Sequence, residues 1–429
     1  MNFILFIRGI VMGIEEHRHR YGTQALGKER MMESMTAGVL TGIDRTEECR
    51  RVFGNARLGL ITGYSGLARN MKTSIDVLKE KFNLRVLFSP EHGVRGILEP
   101  GEKVSFHIDR FSGLPAYSLY EDSISSGDGG AKDRVYQPSR EAMNQIDMMV
   151  FDIQDVGSRY YTYASTLFHA MRACTAADKK MVVLDRPNPI GGTVLEGNCH
   201  TKDLLSFIGL TQIPIRHSWT MGEMAQYYNG EHHLGCDLGV IPVQGWNREM
   251  YFNETGLPFV KPSPNLPTPD SILVYNGTCL FSGTNVSEGR GTTTPFTTIG
   301  APYIDPIALS DRMNREHCPG LAFSPAFFIP SFGKHAGKCC YGVQIHISEP
   351  KAVRAVELGV LLMCTIREMY PGQFAFNPPP SEGAHYHIDL ASGNTDLREG
   401  KLSADQILSK WNKEAAAFRP IHQKYRIYD

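Results

Sequence analysis

The sequence predicts an α/β fold, in which a doubly wound, mostly parallel sheet is followed by a smaller C-terminal α+β domain. Two observations carry this prediction. From residue 57 onward, short apolar runs alternate with amphipathic helical segments, a pattern typical of a parallel sheet covered by helices on both faces. The last third of the chain instead combines one alternating strand with two long helices. The larger part is therefore expected to be Rossmann-like.

The strands of the predicted sheet are apolar throughout, as is typical of strands buried on both faces. In chain order they are ARLGLITG, LRVLFSP, IDMMVFDIQD, KKMVVLDRPNP and CDLGVIPVQGW. The helices predicted between them are NMKTSIDVLKEKF, YYTYASTLFHAMRACTAAD and TMGEMAQYYNGEH. Thr220 is the expected N-cap of the last helix, and Glu223 completes a capping box.

In the last third, YGVQIHI is the predicted strand, and KAVRAVELGVLLMCTIREMY and SADQILSKWNKEAAAFRPIHQKY are the predicted helices. Three parts are expected along the chain. Residues 1–37 form an N-terminal extension or a weak signal segment, residues 38–300 the Rossmann-like domain, and residues 301–429 a smaller domain that closes a cleft.

Charge and cysteine usage limit the classes of partner. The chain has 44 Lys and Arg against 45 Asp and Glu, and without a basic surface a nucleic acid is not expected. No stretch approaches about 18 uninterrupted apolar residues, so no stable membrane span is expected. Nine cysteines without a Cys-x-x-Cys pair favour reduced thiols and a cytoplasmic location. A secreted or periplasmic location is the alternative.

Polar side chains are concentrated where the predicted strands end. Because the carboxyl ends of parallel strands share one edge of a sheet, these segments are expected to meet in one ligand-binding crevice. The candidate residues are Glu91, His92, Asp152, Gln154, Asp155, Arg159, Tyr160, Tyr161, Asp185, Arg186 and Asn188. Several have a structural alternative, since an aspartate at a strand end can cap a helix and Arg186 can pair with such an aspartate.

Glu91 and His92 lie between Pro90 and Gly93 at the end of an apolar strand. A carboxylate on the edge of a buried strand contributes little to packing, so a functional role is favoured for Glu91. His92 can orient this carboxyl, bind a ligand or serve as a structural hydrogen-bond partner.

A second group of candidates lies in two loops farther along the chain. PSPNLPT contains Asn265, and the glycine-rich GTNVSEGRGTTTP contains Asn285, Glu288 and Arg290. Such loops let backbone N–H groups approach a polar ligand, although a solvated turn is the alternative. The chain has no G-x-G-x-x-G after a strand, no G-x-S-x-G and no H-E-x-x-H, so neither a cofactor nor a metal ion is expected.

Together these segments resemble the NamZ family of exo-acting β-N-acetylmuramidases. The similar segments are SPEHGVRG, FDIQDVGSRYYTY, LDRPNPIGG, VLEGN, SPNLPT, GTNVSEGRGTT and SGNTDLREG. The resemblance covers about residues 38–429 and implies a site in the cleft between a Rossmann-like domain and a smaller C-terminal domain. It also implies release of terminal N-acetylmuramic acid (MurNAc) from the non-reducing end of peptidoglycan fragments such as MurNAc-GlcNAc.

The resemblance implies that Glu91 is the general acid/base, because the family's proposed catalytic glutamate lies in its Ser-Pro-Glu-His-Gly motif. A two-carboxylate mechanism needs a second acidic group. The candidates are Asp152, Asp155, Asp185, Glu196 and Glu288. The 2-acetamido group of MurNAc can act as an internal nucleophile instead, so retaining, inverting and substrate-assisted mechanisms all stay open.

MurNAc carries a lactyl carboxylate, which calls for a cationic partner. Arg159, Arg186 and Arg290 are the candidates, because an arginine can bind a carboxylate through two hydrogen bonds. Tyr160, Tyr161 and Tyr163 can contact the sugar ring. The alternative function is a non-catalytic protein that binds muropeptides in the same cleft.

Overall fold

The computed structural model describes residues 38–98, 105–119, 121–122, 134–135 and 138–429. The predicted N-terminal segment, residues 1–37, lies outside the described residues. The described chain forms two main units, one on a seven-stranded sheet and one on a three-stranded sheet. This arrangement confirms the predicted fold class. In the part of the chain that the structure describes, no helix is long and apolar enough to cross a membrane.

The larger unit contains the predicted parallel sheet. Its strands are β1 Leu58–Thr62, β2 Leu84–Ser89, β3 His107–Ile108, β4 Pro115–Ser118, β5 Glu121–Asp122, β6 Arg134–Val135, β7 Met148–Asp152, β8 Lys180–Leu184 and β9 Leu238–Ile241. The sheet has the order β3-β4-β2-β1-β7-β8-β9, while β5 pairs with β6. All pairs in the large sheet are parallel except β3 with β4. The five predicted strands are present, and β3 and β4 add an edge that the sequence did not reveal.

The strands are apolar throughout because both faces of the sheet are buried. On β7, Met149 and Phe151 belong to one hydrophobic cluster, while Met148 and Val150 belong to another. Successive side chains of a strand point to opposite faces. The helices of this unit are α1 Thr46–Phe53, α2 Ser74–Lys81, α3 Arg140–Asn144, α4 Tyr163–Ala176 and α5 Met221–Glu231. Thr220 caps α5 in a capping box with Glu223, as predicted.

The smaller unit is built on an antiparallel sheet. Its elements are α6 Pro269–Thr278, β10 Thr298–Ala301, α7 Pro306–Arg315, β11 Leu321–Phe328, β12 Cys340–Ile347, α8 Ala355–Met369, α9 His387–Ser392, α10 Asp396–Glu399 and α11 Ala404–Lys424. Its strand order is β10-β12-β11. Strand β12 and helices α8 and α11 are the elements predicted for this part. Helix α6 is grouped with them because it packs against α8, although it precedes residue 300, and the boundary near residue 300 stays a prediction.

Helices α6 and α8 are in close contact through a pair of glycines. A Cβ atom added at Gly277 would lie 1.8 Å from the carbonyl oxygen of Ala355, and one added at Gly359 would lie 2.4 Å from the carbonyl oxygen of Gly277. Only residues without a side chain permit this backbone approach. The crossing therefore sets the position of the loop that follows α6.

The chain end returns to the large sheet. The Tyr428 hydroxyl donates a 2.6 Å hydrogen bond to Asp185 at the end of β8, and the Val243 N–H donates to the Tyr428 hydroxyl at 2.8 Å. Asp185 also accepts from the Thr220 hydroxyl and from the Gly222 N–H. Burial raises the pKa of Asp185 to about 6. This carboxyl thus joins the sheet, the start of α5 and the C-terminus.

A buried ion pair lies at the switch point of the sheet. There, β1 has β2 as its neighbour on one side and β7 on the other. Asp152 ends β7, and the Arg186 guanidinium donates to it through Nε at 2.6 Å and through NH2 at 3.0 Å. Asp152 also accepts from the Ser74 hydroxyl, and Arg186 donates to the Leu67 carbonyl at 3.0 Å. The crevice that holds nucleotides in many such folds is here filled by the chain's own charges.

We expect Asp152→Ala to reduce the free energy of unfolding by about 3–5 kcal/mol, because it leaves the buried Arg186 without a counter-charge. Urea titration followed by circular dichroism measures this change. Asp147→Ala is a matched control, since Asp147 precedes the same strand and pairs with Arg57 at 2.6 Å on the surface. Water screens that pair, so its loss should change stability far less. Equal losses in the two variants would contradict a special role for the buried pair.

Candidate active site

A cavity of about 200 Å³ lies beyond the carboxyl end of β2, and both units contribute to its walls. Its lining comes from the loop after β2, the segment before α4, the connection between β8 and α5, helix α6 with the loops before and after it, and helix α9. The lining residues are Glu91, His92, Tyr160, Tyr161, Thr162, Ile208, Ser263, Asn265, Leu266, Tyr275, Cys279, Ser282, Arg290, Phe296, His387 and Ala391. The cavity therefore brings together two groups of candidates that are far apart in the sequence.

Glu91 is partly buried at the wall of this cavity. The Thr162 hydroxyl donates a hydrogen bond to its Oε2 atom, and the Tyr163 hydroxyl lies 3.5 Å from its backbone carbonyl oxygen. The segment before α4 thus sets the orientation of the Glu91 carboxyl. Among the residues that the structure describes, Glu91 is the one carboxylate that lines the cavity.

His92 is buried beside Glu91, and its ring is held in one tautomer. Its Nδ1 atom lies 2.7 Å from the carbonyl oxygen of Leu98. Because a carbonyl oxygen can only accept, Nδ1 carries the hydrogen, and in the neutral ring Nε2 is left as an acceptor. His92 also has a φ of +70°, which is uncommon for a residue with a side chain and is found disproportionately at functional sites.

The tyrosines before α4 differ in what their hydroxyls contact. The Tyr160 hydroxyl donates to the backbone carbonyls of Tyr275 and Asn276, and the Tyr163 hydroxyl donates to that of Pro262 at 3.2 Å. Tyr161 packs edge-on against Tyr163 and Tyr275, with ring centroids 4.9 and 6.0 Å apart. These rings form a rigid aromatic wall.

Arg290 is the arginine candidate that lines the cavity. Its guanidinium stacks over the Phe296 ring, 5.3 Å from the centroid, and its NH1 atom lies 3.5 Å from Glu288. Lys334 lies on the other side of Glu288, with Nζ at 2.9 Å from Oε2. Burial alone would raise the pKa of Glu288, but Lys334 and Arg290 lower it below its ordinary value. The two cations and one anion leave this group with a net charge of +1.

Lys334 is also the residue that anchors the glycine-rich loop. Its ammonium donates to the backbone carbonyls of Phe281 and Val286 at 2.6 and 3.0 Å. The neighbouring Ser331 N–H donates to the Gly291 carbonyl at 2.8 Å. The β11–β12 connection thus holds Arg290 at the cavity.

The two asparagine candidates are placed differently. Asn265 lines the cavity, whereas Asn285 lies in a structural network outside its lining. The Asn285 amide donates to the Gln373 carbonyl at 2.7 Å, and its oxygen accepts from the Tyr303 hydroxyl at 3.0 Å. Asn285 therefore connects the glycine-rich loop to the chain after α8.

The other candidates at strand ends do not line the cavity. They form buried contacts within the structure that surrounds it. Asp152, Asp185 and Arg186 form the two buried networks described above. Arg159 is buried and donates to four backbone carbonyls, those of Asn198, Ile213, Ala391 and Ser392.

Gln154 and Asn188 also bind backbone. Gln154 donates to the carbonyls of Asp155 and Pro187, both at 2.9 Å, and Asn188 donates to that of Trp219 at 2.9 Å.

The acidic candidates Asp155 and Glu196 have buried partners of their own. Asp155 accepts from the Gly157 N–H at 2.7 Å and lies 3.6 Å from His217. Glu196 accepts from Arg216 at 2.9 Å.

Some lining residues carried no recognisable sequence signal. His387 begins helix α9, and its Nε2 atom lies 3.0 Å from the Ser282 hydroxyl. Thr162 lies directly before α4, where its hydroxyl reaches Glu91 in a neighbouring loop, and no sequence motif marks it. Within the described ranges, no group of three or more His, Cys, Asp or Glu side chains is arranged to hold a metal ion.

An acid, a cation and a wall of aromatic rings line one cavity, a combination typical of an enzyme site for a polar ligand. The chain matches both domain models of one family, described as exo-beta-N-acetylmuramidase NamZ, N-terminal over residues 58–270 and C-terminal over residues 273–428. It is 40% identical over 396 residues to the peptidoglycan beta-N-acetylmuramidase NamZ of Bacillus subtilis (strain 168), which covers 91% of each chain. The chain therefore belongs to the NamZ family and is a glycoside hydrolase.

Two solved structures share the fold. A DUF1343 family protein from Bacteroides fragilis NCTC 9343 has a TM-score of 0.80 at 32% identity and covers 92% of this chain and 100% of its own. A second DUF1343 family protein from the same organism has a TM-score of 0.70 at 29% identity and covers 91% and 99%. The two-unit architecture is thus shared along nearly the whole length of these relatives.

Proposed function

We propose that this enzyme releases terminal MurNAc from the non-reducing end of peptidoglycan fragments such as MurNAc-GlcNAc, with Glu91 as general acid/base. The observation that carries the proposal is that Glu91 and Arg290 line one cavity. The first supplies the acid that a poor leaving group needs, and the second a cation for the lactyl carboxylate of MurNAc. The activity of the Bacillus subtilis relative supports the same substrate class.

Glu91 acts on the oxygen that links the two sugars. As the bond from C1 of MurNAc to this oxygen breaks, the Glu91 carboxylic acid donates its proton, and GlcNAc leaves with a hydroxyl. A water molecule then supplies the new hydroxyl at C1, and its proton restores the acid. Thr162 holds the Glu91 carboxyl in orientation, and the Nε2 atom of His92 accepts a hydrogen bond from a substrate hydroxyl.

Arg290 is the proposed receptor for the lactyl carboxylate. Its guanidinium is held by Phe296 and Glu288. The side-chain conformation of Arg290 is therefore already restricted before a carboxylate binds to its N–H groups. Arg159 and Arg186 donate instead to backbone carbonyls and to Asp152.

Glu91→Gln should reduce kcat/KM on MurNAc-GlcNAc at least ~10²-fold, the lower range for general acid–base catalysis. The loss should be much smaller with a dinitrophenyl MurNAc glycoside, whose leaving group needs little protonation. Mass spectrometry of free MurNAc gives the first rate, and absorbance gives the second. Glu80→Gln, an exposed glutamate that pairs with Lys72, is the control and should retain full activity. Equal losses on both substrates would contradict the acid role.

The same assay separates hydrolysis from simple binding. The alternative drawn from the sequence, a non-catalytic muropeptide-binding protein, requires that MurNAc-GlcNAc remain intact after prolonged incubation with the unaltered enzyme.

Arg290→Ala should weaken binding of MurNAc roughly 10- to 150-fold, as expected for charge-assisted hydrogen bonds. It should leave binding of the uncharged MurNAc methyl ester nearly unchanged. Isothermal titration with both ligands measures the difference. Arg290→Lys keeps the positive charge but loses the planar arrangement of guanidinium N–H donors. This variant should therefore recover part of the affinity that Arg290→Ala loses. If the acid and the ester lose affinity equally in Arg290→Ala, the lactyl carboxylate binds elsewhere.

We also propose a cytoplasmic location, because all nine cysteines are free thiols and such a set is typical of a reducing compartment. Fractionation of the source cells, followed by immunoblotting, should recover the chain with cytoplasmic markers. Recovery from the periplasm or the medium would overturn this proposal.

A further inference from the structure

Tyr64 is an aromatic residue at the surface, in the loop that follows β1. The residue is 53% exposed, so much of its ring is in contact with water. A tyrosine ring combines a large apolar face with a polar hydroxyl at one end. An exposed ring of this kind can pack against a ligand that is itself partly apolar and partly polar.

The sheet places Tyr64 beside Glu91. Strands β1 and β2 are parallel neighbours, and Ile61 of β1 faces Phe88 of β2. Tyr64 and Glu91 each lie three residues beyond this facing pair, and adjacent strands are about 4.8 Å apart. The two residues therefore leave the same edge of the sheet from neighbouring strands.

The loops after β1 and β2 are also packed against each other. A Cβ atom added at Gly96 would lie 2.6 Å from the Cβ atom of Tyr64, and one added at Gly63 would lie 3.5 Å from the Tyr163 hydroxyl. The same hydroxyl lies 3.5 Å from the Glu91 carbonyl oxygen. Gly96 has a φ of +66°, which a glycine adopts without strain. These contacts hold Tyr64 against the loop that carries the proposed acid.

The geometry of the proposed reaction puts the leaving sugar on this side of the cavity. Arg290 binds the lactyl carboxylate of the MurNAc ring, whereas Glu91 gives its proton to the oxygen that joins MurNAc to GlcNAc. The GlcNAc ring therefore extends past the Glu91 carboxyl, toward the loops after β1 and β2.

We propose that Tyr64 is a binding platform for the leaving GlcNAc, with its ring packed against one face of the sugar. The faces of a β-linked GlcNAc ring carry axial C–H bonds, which can pack against an aromatic ring. Its hydroxyl groups point outward from the ring edge, and at an exposed residue they keep their hydrogen bonds to water. This inference rests on the proposed function, since it takes MurNAc-GlcNAc as the substrate.

Tyr64→Ala should raise the KM for MurNAc-GlcNAc about 3- to 10-fold, as expected for the loss of one aromatic contact. The kcat should stay nearly unchanged, because the contact is made equally in the bound substrate and in the transition state. The inhibition constant of free MurNAc, which occupies the cavity alone, should also stay unchanged. Mass spectrometry of released GlcNAc measures all three quantities. Tyr64→Phe keeps the ring and should keep the unaltered KM.

Phe327→Ala is the matched control, because it removes an aromatic ring that is 67% exposed on β11 of the smaller unit. It should change neither constant. An unchanged KM in Tyr64→Ala, an inhibition constant of MurNAc raised by the same factor, or an equal loss in Tyr64→Phe would overturn this inference and leave MurNAc release intact. Absence of MurNAc release by the unaltered enzyme would overturn the proposed function and this inference together.

Discussion

The buried ion pair between Asp152 and Arg186 is the interaction on which the larger unit most depends. It joins the end of β7 to the segment after β8, and through Ser74 and Leu67 it holds the start of α2 and the loop before it. Both side chains are almost completely excluded from water, so losing either partner would leave a charge that the interior cannot solvate. Because these charges occupy the crevice at the switch point, the cavity proposed to bind a ligand lies at another place in the fold.

That place is built jointly by the two units, and Arg159 is the residue that connects them at the cavity. Its guanidinium donates to carbonyls of Asn198 and Ile213 in the larger unit, and to those of Ala391 and Ser392 in α9. Because Tyr160 and Tyr161 follow Arg159 directly, the position of the aromatic wall is tied to that of α9. Lys334 ties the glycine-rich loop to the β11–β12 connection in the same way.

The sequence predicted the main elements of the fold but only part of the site. Strands such as β7 are apolar throughout because each packs against a hydrophobic cluster on both faces of the sheet. This pattern can be recognised from the sequence alone. The partners of Asp152, Arg159 and Arg186 lie far away in the chain, so no local pattern distinguished a structural ion pair from a ligand-binding one. His387 reaches the cavity because tertiary packing makes it the first residue of α9, and no local pattern in the sequence indicates this position.

The proposed carboxylate receptor belongs to a packed aromatic cluster. Arg290 stacks on Phe296, Phe296 packs edge-on against Tyr275 at 4.8 Å, and Tyr275 packs against Tyr161. Phe296 adopts a φ of +64°, and its N–H donates to the Glu288 carbonyl at 2.7 Å, so the cluster is continuous with the charges that hold the arginine.

In MurNAc, the lactyl ether is on C3 of the ring whose C1 carries the bond to be broken. On the proposed function, the carboxylate receptor and Glu91 must therefore keep a constant separation. Rings in edge-to-face contact can supply this rigidity, because each is held by its neighbours. On the proposed function, a change that loosens Phe296 or Tyr275 would therefore alter recognition of the lactyl carboxylate, although neither residue needs to contact it.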